Sequence, residues 1–143
     1  MRKASAAWTF PRGRNRLIMN SHFRLVLVTC ATLREARKIA RVIVSQRLAA
    51  CVNIPLTPLE SIYTWKAKVQ TSREYLLLIK SVVNRLPKLE GAVKNLHSYD
   101  VPEFVVLPIS AGSREYLKWL DECVKSSGTK KQASRPEANR ALR

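Results

Sequence analysis

An eight-residue apolar run, FRLVLVTC at residues 23–30, passes almost directly into a helix start signal. The run is rich in β-branched and aliphatic residues and has no helical period, which is typical of a strand buried on both faces. Thr32 and Glu35 match a capping box, in which the Thr32 hydroxyl accepts a backbone N–H and Glu35 returns to the Thr32 N–H. The sequence therefore predicts a buried strand followed at once by a helix from Leu33.

The predicted helix has an apolar stripe with spacings of three and four residues, and its basic residues lie mostly on the other faces. The stripe consists of Leu33, Ala36, Ile39, Ala40, Ile43, Val44 and Leu48. This pattern indicates a helix that packs one face onto a sheet.

Five further elements are predicted downstream. They are an edge strand at 51–54 that resumes at 61–65, its hairpin partner at 69–71 and 75–83 after a turn at 66–68, a helix from near Leu86, a buried strand at 104–109, and a helix capped by Ser113. The order predicts an α+β protein, a ferredoxin-like βαββαβ sandwich with an extra C-terminal helix and a long hairpin between its second and third strands.

Right-handed crossovers place the first two helices of this fold on one sheet face. The opposite face is then bare, and a bare apolar face usually marks an interface. The third helix adds a second apolar line of Tyr116, Trp119 and Cys123, which suits contact with both its own sheet and a neighbouring subunit. The pattern thus predicts self-association.

The charge is concentrated at the two ends. Of the net charge of +16, residues 1–20 and 126–143 supply +9, from ten basic residues against one acid. We interpret 1–20 as a basic flexible extension, 21–125 as the single folded domain and 126–143 as a basic disordered tail. The first segment also resembles a transit peptide in composition, and a start of translation at Met19 would remove it.

Three cysteines at dispersed positions predict neither a disulfide framework nor a CxxC zinc site. A reducing cytoplasm fits them best. The chain has no apolar stretch of membrane-spanning length, so we expect no membrane partner.

Several blocks of the sequence resemble the CutA divalent-cation tolerance family between Phe23 and Val124. They are LVTCATLREARKIARVIVSQRLAACVNI, SIYTWKAKV, YLLLIKS, HSYDVPE and LPISAGSREYLKWL. The resemblance implies a homotrimer in which long hairpins extend neighbouring sheets and leave clefts at the interfaces. It also implies a role in the response to copper or other divalent metal ions, with no enzyme activity, and a likeness to nitrogen-regulatory signalling trimers that bind small ligands.

The chain departs from this family pattern at the hairpin turn and at the proposed metal residues. Ala67 stands where glycine is frequent, and Ser98 replaces a frequent proline. Some relatives have paired histidines and an additional thiol, whereas this chain has Leu96 before His97 and Val28 in its first strand. A metal site transferred directly from such relatives would be incomplete.

Three residues are candidate ligands of a divalent metal such as copper, although no cofactor is required. Cys30 ends a strand, His97 lies just past a helix end, and Glu103 follows His97 shortly after. Their thiolate, imidazole and carboxylate groups all ligate copper or zinc. The alternatives are a capping histidine and a structural thiol.

A second candidate site is an intersubunit cleft lined by Tyr63, Trp65 and Tyr99, with Lys80 as its cation and Glu103 as its carboxylate. Such a cleft would suit an anionic or amphipathic small ligand, as in a ligand-sensing or scaffolding module. Alternatively, the aromatic residues bury interface area and Lys80 pairs with Glu103 across the interface.

Catalysis and nucleic-acid binding have weaker support. The sequence has no GxSxG, Walker or HExxH motif, and we predict that the protein is not an enzyme. Basic tails and a basic helix face around Arg34 and Arg41 would permit nonspecific nucleic-acid association, but no recognition motif accompanies them.

Overall fold

The computed structural model describes residues 18–19 and 22–125, so the predictions for 1–17 and for the tail from 126 lie outside the described residues. The strands are β1 (Ile18–Met19), β2 (Phe23–Cys30), β3 (Cys51–Asn53), β4 (Leu59–Trp65), β5 (Lys68–Val82), β6 (Val105–Pro108) and β7 (Ala111–Gly112). The helices are α1 (Leu33–Ser45), α2 (Leu86–Leu96), preceded by a 3₁₀ turn at Val83–Arg85, and α3 (Arg114–Val124).

The main sheet is antiparallel and has the strand order β3-β5-β2-β6, with β4 paired to the outer part of β5. A separate pair joins β1 to β7. The first two helices pack together over the strands β2 and β5. This arrangement confirms the α+β, ferredoxin-like prediction, including the extra C-terminal helix.

The main core lies between the sheet and the helices α1 and α2. Its fully buried members include Val26, Val28, Ile39, Ile43, Leu77, Ile79, Leu89 and Val93. A smaller core of Phe23, Val82, Leu117, Leu120 and Val124 lies under α3. Because side chains alternate along a strand, Phe23 and Val26 face opposite sides of β2, and α3 therefore covers one end of the face that α1 and α2 leave open.

The remainder of that face is covered by no described element. Cross-strand pairing aligns half-buried side chains of β2 and β5 with exposed ones of β6. We call this row the bare face, and it consists of Leu25, Leu27, Leu76, Leu78, Val105 and Leu107. The predicted uncovered sheet face is therefore present, reduced at one end by α3.

The strand β6 differs from its prediction. We expected a buried strand at 104–109, but Val105 is 46% exposed and Val106 and Leu107 are each 38% exposed. The reason is its position, since among the described strands β6 pairs with β2 alone and forms the sheet edge. Pro108 closes this edge strand, where its missing N–H donor is tolerated.

The hairpin of β4 and β5 is longer and more regular than its sequence indicates. The strand β5 runs for 15 residues without interruption, and a two-residue turn of Lys66 and Ala67 connects it to β4. Both turn residues have positive φ, 49° and 61°, as a tight turn between twisted strands requires.

No helix in the described residues is long and apolar enough to cross a membrane.

We expect Ala67→Gly to raise the free energy of unfolding by about 1 kcal/mol, because glycine adopts positive φ without the steric cost that a Cβ imposes. Urea denaturation at fixed chain concentration measures the change. Ala92→Gly within α2 is the control, and it should lower the free energy by about 1 kcal/mol because glycine weakens a helix. A destabilised Ala67→Gly variant would contradict the strained-turn interpretation.

Candidate functional site

The end of β2, the start of α1 and the end of α2 meet at His97, which caps the C-terminus of α2. Its side chain is fully buried. The Nε2 atom lies 2.8 Å from the carbonyl oxygen of Thr29 and donates to it, and Nδ1 accepts from the Tyr99 N–H at 3.0 Å. Both ring nitrogens of a neutral imidazole are thus engaged, and His97 joins the loop after α2 to the end of β2.

The carboxylate of Glu35 also holds the loop after α2. Thr32 caps α1 by accepting the Glu35 N–H at 3.1 Å, as predicted. The carboxylate, however, accepts from the N–H and the hydroxyl of Ser98 at 2.5 Å and 3.1 Å, instead of returning to Thr32 as the capping box predicted. The reason is that Ser98 presents two donors that match the two carboxylate oxygens.

Cys30 is fully buried beside this histidine, with its Sγ 3.7 Å from the His97 Nε2. Burial, and then the charges of Glu35 and Glu74, raise the pKa of the Cys30 thiol to about 12. The thiol is therefore protonated at neutral pH.

One group of three metal-ligating residues occurs in the part of the chain that the structure describes. It consists of Cys30, Glu35 and His97, whose donor atoms all lie within 4.8 Å of one another. The structure thus brings together two of the predicted metal residues, Cys30 and His97, and places Glu35 rather than Glu103 beside them. Sequence reasoning treated Glu35 only as a capping residue, although its position one turn into α1 was the available signal.

A cleft of about 560 Å³ is lined in part by Ser98 and Tyr99, which follow His97. Four of the five predicted cleft residues line it: Tyr63, Trp65, Tyr99 and Glu103. The remaining lining residues are Thr29, Ser61, Glu74, Ser98, Asp100 and Val101. Sequence reasoning missed the carboxylates of Glu74 and Asp100.

Lys80, the predicted cation of the cleft, lies elsewhere in the same chain. Tyr63 pairs with Gln70 across the hairpin. Lys80 lies ten residues further along β5, which is roughly 33 Å from Gln70 at 3.3 Å per residue. Its Nζ lies 3.9 Å from the Sγ of Cys51. Among the ion pairs of residues 22–125, none joins Lys80 to Glu103.

The polar wall of the cleft is centred on Glu74 and Tyr99. Burial, together with a hydrogen bond to Glu74 and the nearby negative charges, raises the pKa of Tyr99 to about 12. The Tyr99 ring contacts the His97 ring, with centroids 4.9 Å apart. The buried histidine thus positions one wall of the cleft.

Comparison with known proteins identifies the family of the chain. A profile of the CutA1 divalent ion tolerance protein matches residues 24–123. The divalent-cation tolerance protein CutA of Thermus thermophilus is 51% identical over 98 residues, which are 68% of this chain and 94% of that protein.

Solved structures agree with that match. The Thermus thermophilus protein superposes with a TM-score of 0.67 at 50% identity, over 68% of this chain and 94% of that one. A structure described as the periplasmic divalent cation tolerance protein CutA from Archaeoglobus fulgidus gives a TM-score of 0.69 at 33% identity, over 72% of this chain and 99% of that one.

Proposed function

The chain belongs to the CutA1 divalent ion tolerance family, and from this we propose that it is a homotrimeric protein of the response to divalent metal ions. The family is named for tolerance and not for a catalysed reaction, and the proposed role is not enzymatic. We place the protein in the cytoplasm, which the three free cysteines support.

The proposed trimer is supported by the bare face and by the hairpin. The bare face offers a contiguous apolar row, and soluble proteins rarely leave such a row in water. The hairpin adds exposed Ile62, Trp65 and Val69 beyond the main sheet, at 68%, 48% and 75% exposure. Contact of these surfaces with second and third copies would remove them from water.

We further propose that a metal cation such as copper binds directly at Cys30, Glu35 and His97. The observation that carries this proposal is the convergence of their donor atoms within 4.8 Å. Thiolate and imidazole ligands suit copper and zinc, and the carboxylate supplies negative charge. Glu103 lines the neighbouring cleft and is not needed in this ligand set.

Binding at this cluster has a cost that follows from its hydrogen bonds. The Cys30 thiol must lose its proton, and ligation by the His97 Nε2 must replace the bond to the Thr29 carbonyl. A metal competes with these interactions, so its apparent affinity depends on pH.

We expect the apparent affinity for Zn²⁺ or Cu²⁺ to rise about tenfold per pH unit between pH 6 and pH 8, because one thiol proton with a pKa of about 12 is released throughout that range. Calorimetry in buffers of different ionisation enthalpy measures the affinity and the protons released.

Cys30→Ser should abolish this pH dependence and lower the affinity at least about a hundredfold. Cys51→Ser is the matched control, since Cys51 is a free thiol outside the cluster. Equal affinities for Cys30→Ser and the unmodified protein would refute direct binding at the cluster.

A second candidate function is that of a trimeric small-ligand-sensing module, and the specific observation in its favour is the cleft. Its volume of about 560 Å³ is in the range of small-molecule sites, and it combines aromatic walls with a few polar groups. A thermal-shift screen of small metabolites tests this function, and no stabilisation by any compound would count against it.

A further inference from the structure

The cleft lined by Tyr63, Trp65 and Tyr99 differs in charge from the rest of the protein. The chain as a whole carries +16. Three carboxylates, those of Glu74, Asp100 and Glu103, line the cleft, and none of its lining residues is lysine, arginine or histidine. An acidic cavity in a basic protein attracts cations and disfavours an anionic ligand, one of the two kinds, anionic or amphipathic, that the sequence suggested.

Glu74 is the cleft acid whose charge is most costly to bury. Its residue is only 6% exposed, and a buried carboxylate is costly unless it is paired or hydrogen-bonded. Tyr99 supplies a hydrogen bond. Among the ion pairs of residues 22–125, none involves Glu74. Its charge is thus available to a cation that enters the cleft.

The same hairpin face carries a hydroxyl group that lacks a partner. Ser72 lies opposite Ser61, a lining residue, and on the same side of β5 as Glu74. Its Oγ is buried and has no hydrogen-bond partner within the described part of the protein. Ser72 is not among the residues that line the cleft, so its hydroxyl is not counted among the groups that contact a ligand.

The size of the cleft distinguishes an organic cation from a metal ion. A metal requires donors that converge. In the described residues the one converging group is Cys30, Glu35 and His97, and it includes none of the cleft carboxylates. The cleft carboxylates are spread around about 560 Å³. Aromatic faces next to dispersed carboxylates are the surroundings in which alkylammonium groups bind, through cation–π attraction and charge.

We propose that this cleft binds an organic cation, a hydroxylated alkylammonium whose charged end lies between Glu74 and the aromatic rings. The inference rests on the second candidate function and specifies its ligand class. Tyr63, Trp65 and Tyr99 are the aromatic residues of the cleft lining, and they supply the rings of this arrangement. Ser61 also lines the cleft, and a serine hydroxyl suits the polar end of the ligand.

Three probes of similar shape and different charge test the proposal on the full chain by calorimetry at low ionic strength. They are choline, the neutral 3,3-dimethylbutan-1-ol and the anionic 3,3-dimethylbutanoate. We expect choline to bind at least about tenfold more tightly than the alcohol, and the anion to bind most weakly.

Glu74→Gln should weaken choline binding about tenfold and leave the alcohol unaffected, because it removes the charge and little volume. Glu60→Gln is the matched control, since Glu60 points away from the cleft on the neighbouring strand and should change nothing. If Glu74→Gln does not fold, the exposed Glu103→Gln replaces it with the same expectation.

Four results would overturn the inference, and they separate it from the function on which it rests. Equal binding of choline and the alcohol would show an apolar site, and tighter binding of the anion would show the wrong charge, while either would keep the small-ligand function. A Lys80→Met variant that binds choline when the unmodified protein does not would show that a neighbouring subunit's lysine fills the cleft. No binding of any probe to either protein would count against both proposals.

Discussion

Replacing Leu78 by glutamate is expected to convert the proposed trimer into single chains of 16.3 kDa. Leu78 lies in the middle of the bare face, between Leu27 on β2 and Asn53 on β3. If three copies bury this face, the variant carries one unpaired carboxylate per chain into the interface. The expected cost is at least about 3 kcal/mol per chain, the scale on which an unpaired buried charge destabilises a protein.

Light scattering measures the mass, and thermal unfolding at several chain concentrations measures the coupling of assembly to stability. Leu78 is half-buried in the single chain, so a second variant guards against simple misfolding. Leu107→Glu places the charge at a position that is already 38% exposed on the same face.

Val106→Glu is its matched control. Val106 neighbours Leu107, is also 38% exposed, and points to the other side of β6 because it pairs with Val26. We expect Leu107→Glu to lower the mass and Val106→Glu to lower it less. A trimer that survives both Leu78→Glu and Leu107→Glu would show that another surface holds the subunits together.

The sequence predicted the fold because its strongest local signals agree with the final packing. The run at 23–30 became β2 with those bounds, and the apolar stripe after Leu33 became the buried side of α1, where Ala36, Ile39 and Ile43 are fully buried. Such periodic patterns depend on local spacing alone. The uncovered sheet face followed from the order of these elements.

The errors occurred where burial or pairing depends on distant parts of the chain. The apolar composition of 104–109 indicates a buried strand, but exposure is set by its edge position beside β2. Glu35 matches a local capping pattern, and Ser98 competes for its carboxylate from 63 residues away. Local sequence cannot weigh such a competitor.

The candidate cleft shows the same limit. Aromatic residues near a turn and a loop are recognisable in sequence, and Tyr63, Trp65 and Tyr99 do line one cavity. The charge of the cavity was not predictable. In the sequence, Glu74 is a polar residue that interrupts a strand pattern, and Lys80 was expected to be a cation of the cleft. Only the register of β4 on β5 shows that Glu74 faces the cleft and that Lys80 lies far along the strand.

His97→Leu is expected to lower the free energy of unfolding by about 2 to 5 kcal/mol. The side chain is fully buried and makes two hydrogen bonds. The strand β6 pairs with β2 only as far as Leu27, so His97 supplies the partner that the Thr29 carbonyl lacks beyond that point. Leucine leaves this carbonyl and the Tyr99 N–H unpaired, and each unpaired buried group costs about 1 to 3 kcal/mol.

Two polar replacements separate the hydrogen bonds. Glutamine places an N–H near the position of Nε2 and can keep the bond to Thr29, whereas asparagine places an oxygen near Nδ1 and can keep the bond from Tyr99. Each should recover about half of the loss measured for His97→Leu in urea denaturation at fixed chain concentration. A His97→Leu variant as stable as the unmodified protein would mean that these bonds contribute nothing net to the free energy of unfolding.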